Sequence, residues 1–204
     1  MTLAAVAAYG VLHSLLASLW AKRLVRRVFG PRADRVYRLM FNVIGGLSLI
    51  PVLAVAAINP GPLLYRLRLP WSILALTGQA GSLAVLAVGL LQTDAWHFLG
   101  LRQLTQPDPE SAPNLVTTGL YRCVRHPLYT AGLAFLWLTP VMTTSLLAFN
   151  LGLTAYVLIG SVFEERRLMR EFGPAYADYR RQVPRLIPLP RLTRRHGPSA
   201  GELG

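Results

Sequence analysis

One cysteine, Cys123, stands in 204 residues. That excludes an internal disulfide framework and any cysteine-rich metal site, and it leaves the redox compartment open. Histidine is nearly as scarce, and the four histidines fall at no familiar zinc spacing. Charge is thin as well: 15% of residues are charged while 53% are hydrophobic. A soluble fold of that composition would leave far too much apolar surface facing water, so the chain reads as an integral membrane protein. Acidic side chains are outnumbered, nine against 21 lysines and arginines, for a formal net charge of +12. A nucleic-acid groove would need that charge on one water-facing surface, whereas here it lies in clusters between apolar runs, so no nucleic-acid partner is expected.

What the chain does have is long apolar runs. Residues 2–20, TLAAVAAYGVLHSLLASLW, are long enough to cross a bilayer, and Lys22, Arg23, Arg26 and Arg27 follow the run. A cleaved leader carries its charge before the run, so a retained helix is expected. Second and third spans are expected from about Phe41 to Ile58 and from about Trp71 to Leu91, joined by the turn-rich loop NPGPLLYRLRLP with Tyr65 and Trp71 as interface anchors. Residues 128–163 are apolar for too long to be one helix, and Thr139-Pro140 interrupts them. The reading is a tight hairpin of helices at about 128–139 and 144–172, the first short for a full span. The expected fold is therefore all-α and polytopic, with about five transmembrane helices in one domain over residues 1–190 and a disordered polar tail over 191–204.

Charge placement tests that count. Seven basic residues lie from Lys22 to Arg38, three from Arg102 to Arg125 and nine from Arg166 onward, against only Arg66 and Arg68 in the other loop. Five spans put the first three groups on one side, which the positive-inside rule makes cytoplasmic, with the N-terminus outside.

Two polar constellations meet that face. The first is GLYRCVRHPLY, residues 119–129, preceded by a proline-rich loop from Gln106 to Asn114. Pro127 fits a first helical turn, where its missing donor costs nothing, and unpaired amides there with Arg122, Arg125 and His126 favour a carboxylate or phosphate. Arg122 alone reads more simply as an interfacial snorkelling residue. The second is the pair Glu164-Glu165 ending the last apolar helix, where a carboxylate needs a partner or a purpose. Ion pairing with Arg167 or Arg170 would account for one of them, less readily for both, because neighbours on a helix point in different directions. Beyond Gly173-Pro174, Tyr176 and Tyr179 share one face of a short helix. One ligand suits both constellations: S-adenosylmethionine, whose carboxylate, ammonium, aromatic base and positive sulfur match donors, a glutamate and tyrosine faces. His13, within an apolar helix, reads equally as a histidine bonded inside the bundle or as a pocket residue.

The segments LVTTGLYRCVRHPLY (115–129) and EERRLMREFGPAYADYRRQVPRLIP (164–188), separated by a helical hairpin, resemble the isoprenylcysteine carboxyl methyltransferase and phospholipid methyltransferase superfamily of integral membrane enzymes. YGVLHSLLAS (9–18), YRLMFN (37–42) and TDAWHFLGLRQL (93–104) look like its bacterial branch of membrane thiol methyltransferases and NnrU-like proteins. The resemblance implies a membrane S-adenosylmethionine-dependent methyltransferase of the bacterial inner membrane acting on a small thiol or a lipid-like acceptor. The alternatives are a carboxyl O-methyltransferase of the isoprenylcysteine type or a non-enzymatic accessory protein. It implies cofactor contacts from Gln106, Leu115, Val116, Tyr121, His126, Pro127, Leu128, Tyr129 and Glu164, with Arg125 and Glu165 as catalytic candidates. His97 and Arg102 are candidates to close over the ligand, and Arg125 or Arg102 to favour a thiol's anion. The isoprenylcysteine enzymes lead one to expect an arginine a turn before the second glutamate; Ser161 stands there.

Overall fold

The structure is a computed structural model; it describes residues 1–31, 33–93, 96, 99–101, 104 and 115–188. Gln106, His97, Arg102 and the tail 191–204, all named above, lie outside the described residues.

Helix α1, Thr2–Ala17, stops short of the expected Trp20 because Ser18 turns the chain. Its hydroxyl donates to Leu15 O (2.6 Å) and accepts from the Ala21 amide (3.1 Å), closing one helix and capping the next. Helix α2, Leu19–Phe29, leaves at 59° and carries the four basic residues of LWAKRLVRRVF. Helix α3 is longer than expected, Ala33–Ile58, because the polar turns through Arg38 continue the apolar helix. Arg26 reaches Asp34 across the α2–α3 turn at 3.3 Å, and the Tyr37 hydroxyl donates to Leu16 O at 2.6 Å.

Helices α4 (Trp71–Gln92), α5 (Pro127–Trp137) and α6 (Thr144–Phe172) fall close to the expected positions, and α7 (Pro174–Gln182) follows Gly173. Among the described residues three helices, α3, α4 and α6, are long and apolar enough to cross a membrane, or four if the bent pair α1–α2 counts as one span. A count of about five includes α5, whose 11 residues reach only about 16 Å at 1.5 Å per residue, half of a bilayer core.

Small residues set the packing. Gly152 of α6 receives Val6 of α1, Gly10 faces Tyr156, and Gly45 of α3 lies against His13, so α1 and α6 run in parallel with α3 antiparallel to them. Gly78 and Gly89 of α4 face Leu138 and Leu128 beside α5. The inner core is small, Val6, Val52 and Phe149. Leu47, Ile50, Leu74, Leu76 and Ile159 are exposed, as lipid-facing side chains are.

Two loops expected to share one face do meet. β1 (Leu63–Arg66) pairs antiparallel with β2 (Val141–Thr143), with Leu63 opposite Thr143 and Arg66 opposite Val141. Periodicity did not foretell this ribbon, because each strand is too short to show alternation and its partner is over seventy residues away. Gly61 makes it possible: its φ is +66°, and a Cβ there would collide with the Thr144 hydroxyl. The ribbon lies at the α6 N-terminus; α6 then carries the chain to the opposite end, where its last turns hold the glutamate pair.

Candidate active site

Val183 leaves α7 in extended conformation, and residues 183–188 strap across the start of α5. The strap is held by backbone: Arg125 N–H donates to Pro184 O (2.9 Å) and His126 N–H to Arg185 O (3.2 Å), while the Thr130 hydroxyl donates to Leu186 O (2.7 Å). The expectation of an anionic ligand concerns the first-turn amides of Leu128 and Tyr129, which these bonds do not involve. Those of Arg125 and His126 are already satisfied by the strap.

Arg125 ties three elements. Its Nη2 and Nε stand 2.6 and 2.8 Å from Glu165 Oε1, and its Nη1 donates to Arg180 O (3.0 Å) and Val183 O (2.5 Å). Arg180 Nε approaches the other oxygen of Glu165 at 3.8 Å. Arg167 pairs with Glu171 at 3.8 Å, so the plain reading of the glutamate pair, bridging to Arg167 or Arg170, does not describe it.

His126 is buried as the residue that opens α5, and its ring lies between the two glutamates. Nε2 is 3.4 Å from Glu165 Oε1, and Nδ1 is 3.6 Å from Glu164 Oε2. Burial pushes the imidazole below its ordinary value, with Arg125 acting the same way, against the opposing pull of both carboxylates. A neutral ring has one N–H. Placed on Nε2, where the approach is shorter, it serves Glu165. The lone pair of Nδ1 then faces Glu164 Oε2, which is itself buried and has no hydrogen-bond partner among the described residues. Two acceptors facing one another form a site for a cationic donor.

Tyr129 stacks on His126 with centroids 5.3 Å apart and planes 16° from parallel, and its hydroxyl side faces Glu164. Tyr176 is 1% exposed, its ring packed with Tyr179 and Val183, and among the described residues its hydroxyl meets no hydrogen-bond geometry, although Arg125 lies near enough to lower its pKa. It senses Glu165, Arg125 and Glu164, so it looks into the same centre; burial first, then Glu165, raises its pKa. Tyr179 donates to Tyr121 O at 2.7 Å and packs beneath Leu115 and Tyr121. The two tyrosines of α7 are thus core anchors, and the stacked pair at this site is His126 with Tyr129. Tyr121, pushed up to about 12 chiefly by burial, stands within reach of Thr93 and Glu164.

The structure brings Tyr121, Arg125, His126, Tyr129, Glu164 and Glu165 to one centre. Leu115 supports it from below, and Pro127 is buried in the first turn. Leu128 packs toward Gly89 of α4, and Val116 is half-buried in the stretch before the 3-10 turn Gly119–Arg122. Arg122 and Cys123 are exposed. His13 is bonded within the bundle, its Nδ1 2.6 Å from the Tyr156 hydroxyl and its ring 4.6 Å from that of Phe41.

Sequence reasoning gave no role to Arg185. Its Nε donates to Ser161 Oγ (3.1 Å) and its Nη2 to Leu158 O (2.7 Å) and to Ser161 Oγ, so a guanidinium from the strap arrives where an arginine was expected on α6 itself. The signal was the spacing of VPRLIP, legible only once the strap was known to fold back. An apolar cavity of about 620 Å³ lies apart from these residues between α1, α2 and α3, lined by Leu16, Phe29, Tyr37 and Phe41 among others.

Residues 76–175 match the family described as Phospholipid methyltransferase. Among curated proteins, the chain is similar to Methanethiol S-methyltransferase 2 of Bradyrhizobium diazoefficiens, 45% identical over 98 residues covering 47% of this chain and 38% of that one. It is 37% identical to Methanethiol S-methyltransferase of Crocosphaera subtropica over 128 residues, 58% of this chain and 50% of the other. It is 38% identical to Protein-S-isoprenylcysteine O-methyltransferase of Schizosaccharomyces pombe over 80 residues, 37% of this chain and 33% of that protein. The chain thus spans half or less of the length of these relatives. No solved structure matches it significantly.

Proposed function

We propose that this chain, which over residues 76–175 fits the phospholipid methyltransferase family and its isoprenylcysteine-type relatives, is a membrane S-adenosylmethionine-dependent methyltransferase whose acceptor is a small thiol. The observation that carries the reading is Glu164 Oε2: a buried acceptor without a donor among the described residues, facing the Nδ1 lone pair of a buried neutral histidine. An ammonium bound there satisfies both at once. The unmet Tyr176 hydroxyl adds a second polar group to the same centre. These residues fit the amino-acid end of S-adenosylmethionine, which when bound supplies a methyl group on a positively charged sulfur.

The chain's own residues would do the rest by position. Glu164 and His126 hold the ammonium, Tyr129 and His126 offer a stacked aromatic wall, and Tyr121 closes the side toward α4. Arg125 and Glu165, the catalytic candidates, lock α5, α6 and the strap into one frame and keep water from the centre. Methyl transfer is an in-line displacement, so alignment and exclusion of water supply most of the acceleration, without elaborate acid–base machinery. A small thiol is favoured over a lipid headgroup or carboxylate because relatives bearing the name methanethiol S-methyltransferase match at 37–46% identity. The basic clusters at the site end support a cytoplasmic site, with the N-terminus outside.

The test is equilibrium binding of radiolabelled S-adenosylmethionine to purified protein in lipid nanodiscs, followed by turnover with a panel of short thiols, lipids and prenylcysteines. Binding by the wild type, lost in Glu164→Ala and His126→Ala while both remain folded, and methylation confined to thiols are expected. A wild type that binds no donor overturns the function, and undiminished binding in both variants overturns the residue assignment.

A further inference from the structure

Among the described residues, no carboxylate pairs with the positive charge of Arg185. Its carbonyl takes the His126 amide, and its side chain runs from there to α6, where Ser161, fully buried, and Leu158 O receive it. Ser161 precedes Glu165 by four residues, so the two share a helix face about one turn apart, with Ser161 on the membrane side. Among the described residues no carboxylate stands within 4.0 Å of Arg185, whose Nε and Nη2 are the nitrogens bonded to α6. Among the described residues the charged and titratable groups around this centre include Tyr121, Arg125, His126 and Tyr129 from the α5 side, Glu164, Glu165 and Arg167 from α6, and Tyr176, Tyr179 and Arg180 from α7. Glu165 is matched by Arg125, and Glu164 stands nearest His126 and more than 4.0 Å from Arg185, so the Arg185 guanidinium has no ion-pair partner among the described residues.

A guanidinium held at the membrane edge of a partly dry centre favours an anion beside it. We propose that Arg185 is the acceptor-binding residue and that its guanidinium holds the acceptor sulfur as a thiolate. The inference rests on the thiol-methyltransferase reading above and deepens it, and Arg185 lies beyond the matched residues 76–175. The balance is simple. The thiol loses its proton to water as it binds; a sulfur lone pair forms the new C–S bond while the donor's methyl–sulfur bond breaks, and the electrons of that bond neutralise the sulfonium.

The experiment compares Arg185→Gln and Arg185→Lys in the full chain, reading donor binding and the pH profile of kcat/KM for ethanethiol. Donor affinity is expected to hold. In Arg185→Gln, kcat/KM at neutral pH falls about tenfold to a hundredfold, the range of a hydrogen bond to a charged group. Its rising limb moves up by about one pH unit or more, because the thiol must then ionise unaided. Arg185→Lys keeps the limb in place at a reduced rate. An Arg185→Gln protein that binds donor and keeps the wild-type profile overturns the proposal. Should that variant fail to fold, the wild type decides with thiols of graded acidity: a limb below each free thiol's own pKa supports the proposal, and a limb that tracks it overturns it. Loss of donor binding in the wild type removes the enzyme reading itself, a different result from a profile that does not move.

Discussion

The Arg125 guanidinium closes on Glu165 through two of its nitrogens, at 2.6 and 2.8 Å from the same carboxylate oxygen, with both side chains only 9% exposed. Two nitrogens on one oxygen leave Arg125 Nη1 for the carbonyls of Arg180 and Val183. The pair therefore joins the end of α6 to the strap.

Breaking such a pair leaves a buried charge alone, which costs about 3–5 kcal/mol, whereas replacing both partners by apolar groups costs far less. Arg125→Met and Glu165→Leu should each lower the thermal midpoint in detergent by more than the double substitution does. Additive losses in that cycle would show that the two side chains act independently.

His126 sets a pH dependence. Its folded pKa lies below the unfolded value near 6.5, so between the two the unfolded chain binds more protons, and stability rises with pH through that window. The contribution is whole above about 6.5 and is lost as pH falls toward the folded pKa. Melting curves from pH 5 to 8 should show this slope in the wild type. His126→Gln should flatten it; an unchanged slope would assign the effect elsewhere.

Tyr176→Phe separates ligand binding from folding. Among the described residues the hydroxyl has no hydrogen-bond partner, so its removal should leave the melting temperature nearly unchanged. Donor affinity, measured by equilibrium dialysis, should fall by up to about tenfold, the worth of one hydrogen bond. A folded variant with full affinity would take Tyr176 out of the site.

Gly61→Ala tests the far end. With φ at +66° and the Thr144 hydroxyl in the way, the substitution should cost about 1–3 kcal/mol of stability. Donor binding, one membrane thickness away, should hold below the new melting temperature. A loss of binding in folded protein would mean that the ribbon and the site are coupled.

The fold was legible where the signal is local. Spans α4 and α6 and the proline start of α5 follow from apolar run length and Pro127, and the glutamate pair drew notice because acids are scarce in apolar helices. Non-local features were hidden. Nothing in Leu63–Arg66 names Val141–Thr143 as its partner, and nothing in Arg185 names Ser161. Ser18 is a third case, a serine in an apolar run whose double role at the bend depends on the backbone around it. Tyr179 was read for its ring, but its hydroxyl holds Tyr121 O, which fixes the turn leading into the site.

The strap has a consequence for how the chain is made. Arg125, His126 and both glutamates reach the membrane before Pro184, Arg185 and Leu186 have been synthesised, yet those last residues supply the carbonyls that hold the Arg125–His126 turn. During synthesis the helices can insert while the charged centre is still open. The centre is then latched afterwards, from the water side, by the segment that follows α6 and α7.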